Sequence, residues 1–179
     1  MTFREIRDHK FKILFMFYFM GTDIDQVMLN YFSNLPYEEE DDENEYTKDK
    51  KSHRNIAKVT ITEDDNKEHN VSDAAVVVKL SDDDNIRDIK RKVKEIIDKT
   101  EEIDKLISDN LESWDINRVA KAEITIIRLA VYEMYYDASI DIPVAINEAV
   151  ELAKVYGDGK ADKFVNGVLS TIFKKKNSI

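Results

Sequence analysis

An all-helical fold of about seven helices is what this sequence predicts, and three observations predict it. Apolar residues recur at three- and four-residue spacing along most of the chain, the signature of helices with one buried face. Only four glycines and two prolines interrupt 179 residues, and several of them stand where helices begin or end. At 42% apolar content, a chain of this length can bury one substantial core.

The first element is a helix over Phe3–Met20, polar at its start and apolar nearly all round by its end. Arg4, Arg7, Lys10 and Lys12 precede the apolar run Ile13–Met20, the order of a secretory leader. Glu5 and Asp8 break up the basic group and no small-residue cleavage site follows, so export is not expected. Eight apolar residues fall far short of the ~20 that span a bilayer. A second helix starts at a Thr22 or Asp23 cap and runs to about Asn34, with Ile24, Val27, Met28, Tyr31 and Phe32 on one face, before Leu35-Pro36 stops it.

Residues 36–84 differ in kind. Between 36 and 80 there are thirteen acidic and seven basic residues, so most of the net charge of −10 is local to this stretch. Such composition favours solvation over packing, and we expect an acidic insertion within a single domain spanning 1–179. Val59-Thr60-Ile61-Thr62 and Ala74–Leu80 are β-branched runs flanking a polar stretch, the pattern of a marginal two-stranded hairpin.

Helical periodicity returns from Asn85, with Ile86, Ile89, Val93, Ile96 and Ile97 on one face, then Ile103, Leu106, Ile107 and Leu111. Asp98-Lys99-Thr100-Glu101 has capping-box spacing and predicts two consecutive helices, closed by Trp114 and Asp115. Lys121–Tyr136, Pro143–Tyr156 and Lys160–Lys174 complete the set, with Pro143 suited to a first turn and Gly157 to a C-terminal stop.

Composition narrows the chemistry. With no cysteine and three scattered histidines, neither disulfides nor a zinc site is expected, no cofactor is called for, and a reducing cytoplasm fits. The sole glycine cluster, Gly157-Asp158-Gly159, follows a helix instead of opening one after a strand, so it is no phosphate loop. Glu148 and Glu151 lack the histidines of a di-metal bundle and read as a solvated face. No catalytic constellation emerges, and an enzyme is not expected. What stands out is polar material inside apolar helices: Glu123, Arg128 and Glu133 on one helix, Asn147-Glu148 and Asn166-Gly167 on two others. Arg128 is expected to pair with Glu133 or Glu148 and the asparagines to cap or cross-link helices, unless some of these groups meet a ligand or partner.

Arg118, Ile127-Arg128-Leu129-Ala130-Val131-Tyr132-Glu133-Met134, the run Ile142–Lys154 containing Ala145-Ile146-Asn147-Glu148-Ala149, and Lys163-Phe164-Val165-Asn166-Gly167-Val168-Leu169 together closely resemble the NusB family of bacterial transcription antitermination factors. The resemblance covers about 60 residues continuously, and Glu101–Asp104 and Arg4-x-x-Arg7 to Leu14-Phe15 fit more loosely. It implies a helical bundle of two three-helix-like halves without catalytic activity. It implies binding to the boxA element of nascent ribosomal RNA together with the small-subunit ribosomal protein NusE, in a complex with other Nus factors and RNA polymerase. Arg4, Arg7, Lys10, Arg128 and Lys163 match positions expected near RNA, and Phe15 and Glu123 positions expected at the ribosomal-protein contact. Lys160 stands in the turn where the family commonly carries an acidic residue beside that surface. Glu5 and Asp8 among the N-terminal basic residues predict modest intrinsic RNA affinity, with the partner supplying the rest. Two other readings stand beside this one: an interaction module of the same fold without RNA binding, and the RNA-targeting domain of a ribosomal RNA cytosine methyltransferase, whose methyl-donor domain the sequence lacks.

Overall fold

The computed structural model describes residues 1–21, 23–35, 84–110 and 115–176. Among them the chain is all-helical: α1 (Phe3–Met20), α2 (Ile24–Ser33), α3 (Asp84–Asp98), α4 (Thr100–Ser108), a 3-10 turn at Ile116–Arg118, α5 (Lys121–Tyr136), α6 (Ile142–Tyr156) and α7 (Ala161–Lys176). The expected hairpin segments and Trp114 lie outside the described residues. No helix in the described part is long and apolar enough to cross a membrane.

Local chemistry explains the boundaries. Thr2 and Glu5 form a reciprocal capping box at the start of α1, and Gly21, at φ +63°, closes that helix in the left-handed conformation that glycine adopts without a Cβ penalty. The Asp23 carboxylate accepts from the backbone N–H groups of Asp25 and Gln26 to start α2. The break between α3 and α4 falls where the sequence places it, but not through a capping box. Lys99 occupies the cap position without a side-chain bond, and the Thr100 hydroxyl donates back to the Ile96 carbonyl at 3.1 Å.

Gly157 stops α6 as expected, its N–H donating to the Ala153 carbonyl. It is extended (φ −94°, ψ 166°) rather than left-handed, so its requirement is space. A Cβ there would lie 2.7 Å from the Ala153 carbonyl oxygen and would collide with the Ala161 methyl, so glycine is what lets α7 start hard against the end of α6. Gly159, at φ +55°, supplies the left-handed residue of this turn.

Packing divides the bundle into two halves that share a core. In the first, α1 carries α2 and α3; in the second, α5 packs on α4, α6 and α7, and α6 lies along α7. Contact between α1 and α5 joins the halves, which is why α5 is buried nearly all round, from Ile124 to Met134. Ile13, Leu14, Ile89, Val93, Ile103, Ile127, Val131, Val165 and Leu169 form the centre, each almost fully excluded from water. Burying a side chain of this size contributes about 1.5–3 kcal/mol, so these nine residues alone weigh heavily in the stability of the bundle.

Candidate functional site

Arg4, Arg7 and Lys10 of α1 were expected near RNA, but the structure buries two of the three. Arg7 and Lys10 are 1% and 2% exposed. They lie seven and four residues before Leu14, on the stripe that buries Phe11 and Leu14, so helical spacing carries them into the core. Arg7 pairs with the buried Glu133 carboxylate of α5 and donates to the Ala145 carbonyl of α6 at 3.2 Å, joining three helices. Burial lowers its pKa to about 10, and the Glu148 charge opposes that shift. Lys10 is lowered to about 8, first by burial and then by Lys92, against the pull of Asp88 and Asp137. Lys92 is held by Asp137 at 2.5 Å and reaches Asp88 at 3.5 Å, so Lys10 borders an ion-pair cluster between α1, α3 and the end of α5.

Arg4 remains at the surface, with 68% of its side chain exposed, and grips Glu148 of α6 in a bidentate pair at 3.0 and 3.2 Å. Hydrogen bonding from Arg4 holds the Glu148 carboxyl below the ordinary glutamate range. Glu148 and Glu151 are therefore not a plain solvated face: Glu148 anchors α1, and Glu151 pairs with Lys154 at 2.6 Å. Between α1 and α6 lies a cleft of about 300 Å³ lined by Arg4, Arg7, Asp8, Glu148, Glu151 and Tyr156, among others. Its carboxylates outnumber its guanidinium groups, which makes it a poor resting place for bare phosphate. The Tyr156 hydroxyl donates to Asp8 at 2.5 Å, and its ring packs 4.5 Å from that of Phe11.

Arg128 pairs with neither Glu133 nor Glu148. It makes two 2.7 Å hydrogen bonds to Asp104 of α4 and lies 4.4 Å over the ring of Tyr18 of α1, whose hydroxyl meets Thr100 at 2.8 Å. This arginine locks α5 to α4 and α1, on a different wall from the Arg4 cleft.

The residues matched to the partner contact are more accessible. Phe15 is half-buried in a row of rings on α1, 5.9 Å from Phe11 and 6.1 Å from Phe19, and Phe19 is 72% exposed. Glu123, in the first turn of α5, is half-buried, and its pKa is raised by burial and then by the Asp158 charge in the α6–α7 turn. Lys160 stands exposed in that same turn.

Lys163 is exposed on α7 and lines a groove of about 430 Å³ between α6 and α7, with Ile146, Asn147, Val150, Asp162 and Asn166 among its walls. Helix α6 thus separates two clefts, Glu148 facing α1 and Asn147 facing α7, and the surface cations Arg4 and Lys163 flank it. Both asparagines are exposed, and among the described residues neither carboxamide has a hydrogen-bond partner, so the expected caps and cross-links are not made there. Their placement inside otherwise apolar patterns was the signal, read at the sequence level as structural. Among the described residues no cluster of three or more carboxylates and histidines could hold a metal ion.

Fold and surface together define a seven-helix scaffold whose described part carries two clefts, one on each side of α6, flanked by Arg4 and Lys163. The NusB family model matches residues 53–174, more than half of the chain, and the chain belongs to that family. It is 50% identical over 80 residues to the transcription antitermination protein NusB of Carboxydothermus hydrogenoformans, covering 45% of this chain and 56% of that protein. With the protein of the same name from Bacillus subtilis it shares 48% over 77 residues, covering 43% and 59%. The chain thus spans less than two thirds of the length of these relatives. Its fold matches the structure of NusB from T. maritima with a TM-score of 0.65 at 26% identity, over all of this chain and 99% of that one. It also matches a crystal structure of antitermination factors NusB and NusE in complex with double-stranded RNA, with a TM-score of 0.64 at 23% identity over 96% of each chain. At that identity the second likeness speaks to fold alone.

Proposed function

We propose that this chain is a transcription antitermination factor that binds boxA-type ribosomal RNA leader as a complex with the small-subunit ribosomal protein NusE, supporting ribosomal RNA transcription. Other Nus factors and RNA polymerase are then reached indirectly. The observation that carries this reading is family membership over residues 53–174, joined to a fold shared with a NusB that was crystallised with NusE and RNA. In this reading residues 36–84 are an acidic insertion within a single domain.

The side chains divide the work. Arg4 and Lys163, exposed on either side of α6, supply phosphate contacts, and Phe15, Glu123 and Lys160 belong to the protein contact. Arg7, Lys10 and Arg128 support this surface from behind by fixing α1 against α5 and its neighbours. With a net charge of −10, Arg4 already paired with Glu148, and Arg7 and Lys10 buried, this surface is short of free cations, so RNA binding by the chain alone is weak and affinity rests on the heterodimer.

That same shortage favours a second reading, an interaction module that keeps the protein contact without RNA. A reconstituted transcription reaction separates the two. On a template whose leader carries a boxA-type element, with the other Nus factors and NusE present, adding this chain should raise the full-length fraction several-fold. Deleting the element should abolish the gain. Full-length transcript that is indifferent to the element leaves the second reading standing.

A further inference from the structure

We propose that the groove between α6 and α7 is a base-reading subsite for single-stranded RNA, in which the Asn147 and Asn166 carboxamides read nucleobase edges while Lys163 holds the adjoining phosphate. The inference rests on the RNA-binding reading above and goes further by assigning sequence discrimination to two residues of one groove.

Asn147 stands on the α6 wall and Asn166 on the α7 wall of the groove, both exposed. Among the described residues neither carboxamide has a hydrogen-bond partner, and the Lys163 ammonium has no ion pair. A helix gains nothing in packing or capping from an exposed asparagine in its interior, where that residue is intrinsically unfavourable. Each carboxamide offers an acceptor oxygen and two N–H donors side by side. That pattern complements the adjacent donor and acceptor on a nucleobase edge, best known for asparagine against adenine.

The rest of the groove fits a base better than a bare phosphate. Pro143, Ile146, Val150 and the half-buried Phe173 give apolar surface for the face of a planar ring. Asp162, also in the groove, would repel phosphate placed at its centre. Lys163 precedes Asn166 by three residues, nearly one helical turn, so cation and carboxamide lie side by side as phosphate and base do in one nucleotide. A volume of about 430 Å³ admits a planar base.

The test is selection from a pool of random 12-nucleotide single-stranded RNAs, using the full chain with its ribosomal-protein partner. Affinities of the winning RNA and its single-base variants are then measured at several salt concentrations. Asn147→Ala and Asn166→Ala place a better helix former at exposed sites, so both variants should fold, which a thermal melt verifies. The unmodified chain should enrich a defined motif. Each asparagine variant should lose preference at one or two positions and bind the winning RNA about tenfold more weakly. Lys163→Ala should weaken all RNAs alike and reduce the salt slope by about one, with base preference unchanged.

If the double asparagine variant enriches the same motif with unchanged affinity, the subsite assignment is wrong while the RNA-binding reading survives. Loss of ribosomal-protein binding with RNA preference intact makes the groove a protein contact and equally overturns the assignment. If the unmodified chain binds no RNA with its partner present, both readings fall together.

Discussion

Arg7 shows how far a charge can mislead when its spacing is set aside. Grouped with Arg4 and Lys10 it reads as a basic surface; placed by helical period it falls in line with Phe11 and Leu14, and the structure buries it against Glu133. Removing one member of a buried pair leaves the other charge uncompensated, at a cost of about 3–5 kcal/mol. Arg7→Met should therefore lower the melting temperature by on the order of 10 °C, and adding Glu133→Gln should recover most of the loss. A melt of the single variant within 2 °C of the parent contradicts this role. Lys10 predicts a pH dependence. Folded, it releases its proton near pH 8, whereas in the unfolded chain it keeps it up to the ordinary 10.5. Between those values the unfolded chain binds more protons, so stability rises as pH climbs from 8 to 10.5. Urea midpoints measured across that window should rise in the parent relative to Lys10→Met; parallel profiles would show that Lys10 titrates normally. Arg128 was legible as a polar residue in need of a partner, but Asp104 lies 24 positions away and only the packing of α4 on α5 identifies it.

The helices themselves were readable, because apolar residues at three- and four-residue spacing leave little choice of period, and six of the seven appear within about two residues of their expected limits; α4 is described only to Ser108, and residues 111–114, where it was expected to close, lie outside the described residues. What spacing cannot supply is the distance between consecutive elements. Gly157 was read as an ordinary helix stop, and its requirement turns out to be the close approach of Ala161 and the Ala153 carbonyl. Gly157→Ala must push α7 away from α6, costing about 1–3 kcal/mol as overpacking does. It should also disturb the groove that both helices wall. Chemical denaturation gives the first effect, and RNA affinity of the folded fraction gives the second. The α1 capping box is a milder case: Thr2→Ala should cost about 1 kcal/mol, detectable as a small shift of the denaturation midpoint.

At the scale of the whole molecule, charge and family membership pull in different directions, and the proposed heterodimer would reconcile them. The resemblance in the C-terminal third was strong in the sequence because packing motifs are contiguous there, while the candidate contacts draw on residues as far apart as Arg4 and Lys163, flanking α6. If residues 36–84 are an insertion, replacing 38–80 with a short linker should leave a single cooperative melt within a few degrees of the parent; loss of cooperativity would show that the segment packs on the core. RNA binding by this chain should depend on its partner. The most direct test is a titration of labelled boxA-type RNA with this chain, with and without the ribosomal protein, at several salt concentrations. The chain alone should bind weakly, with a gain of at least about tenfold when the partner is present and a shallow salt slope from few phosphate contacts. Equal affinity with and without the partner, or no binding in either condition, would contradict partner-dependent binding.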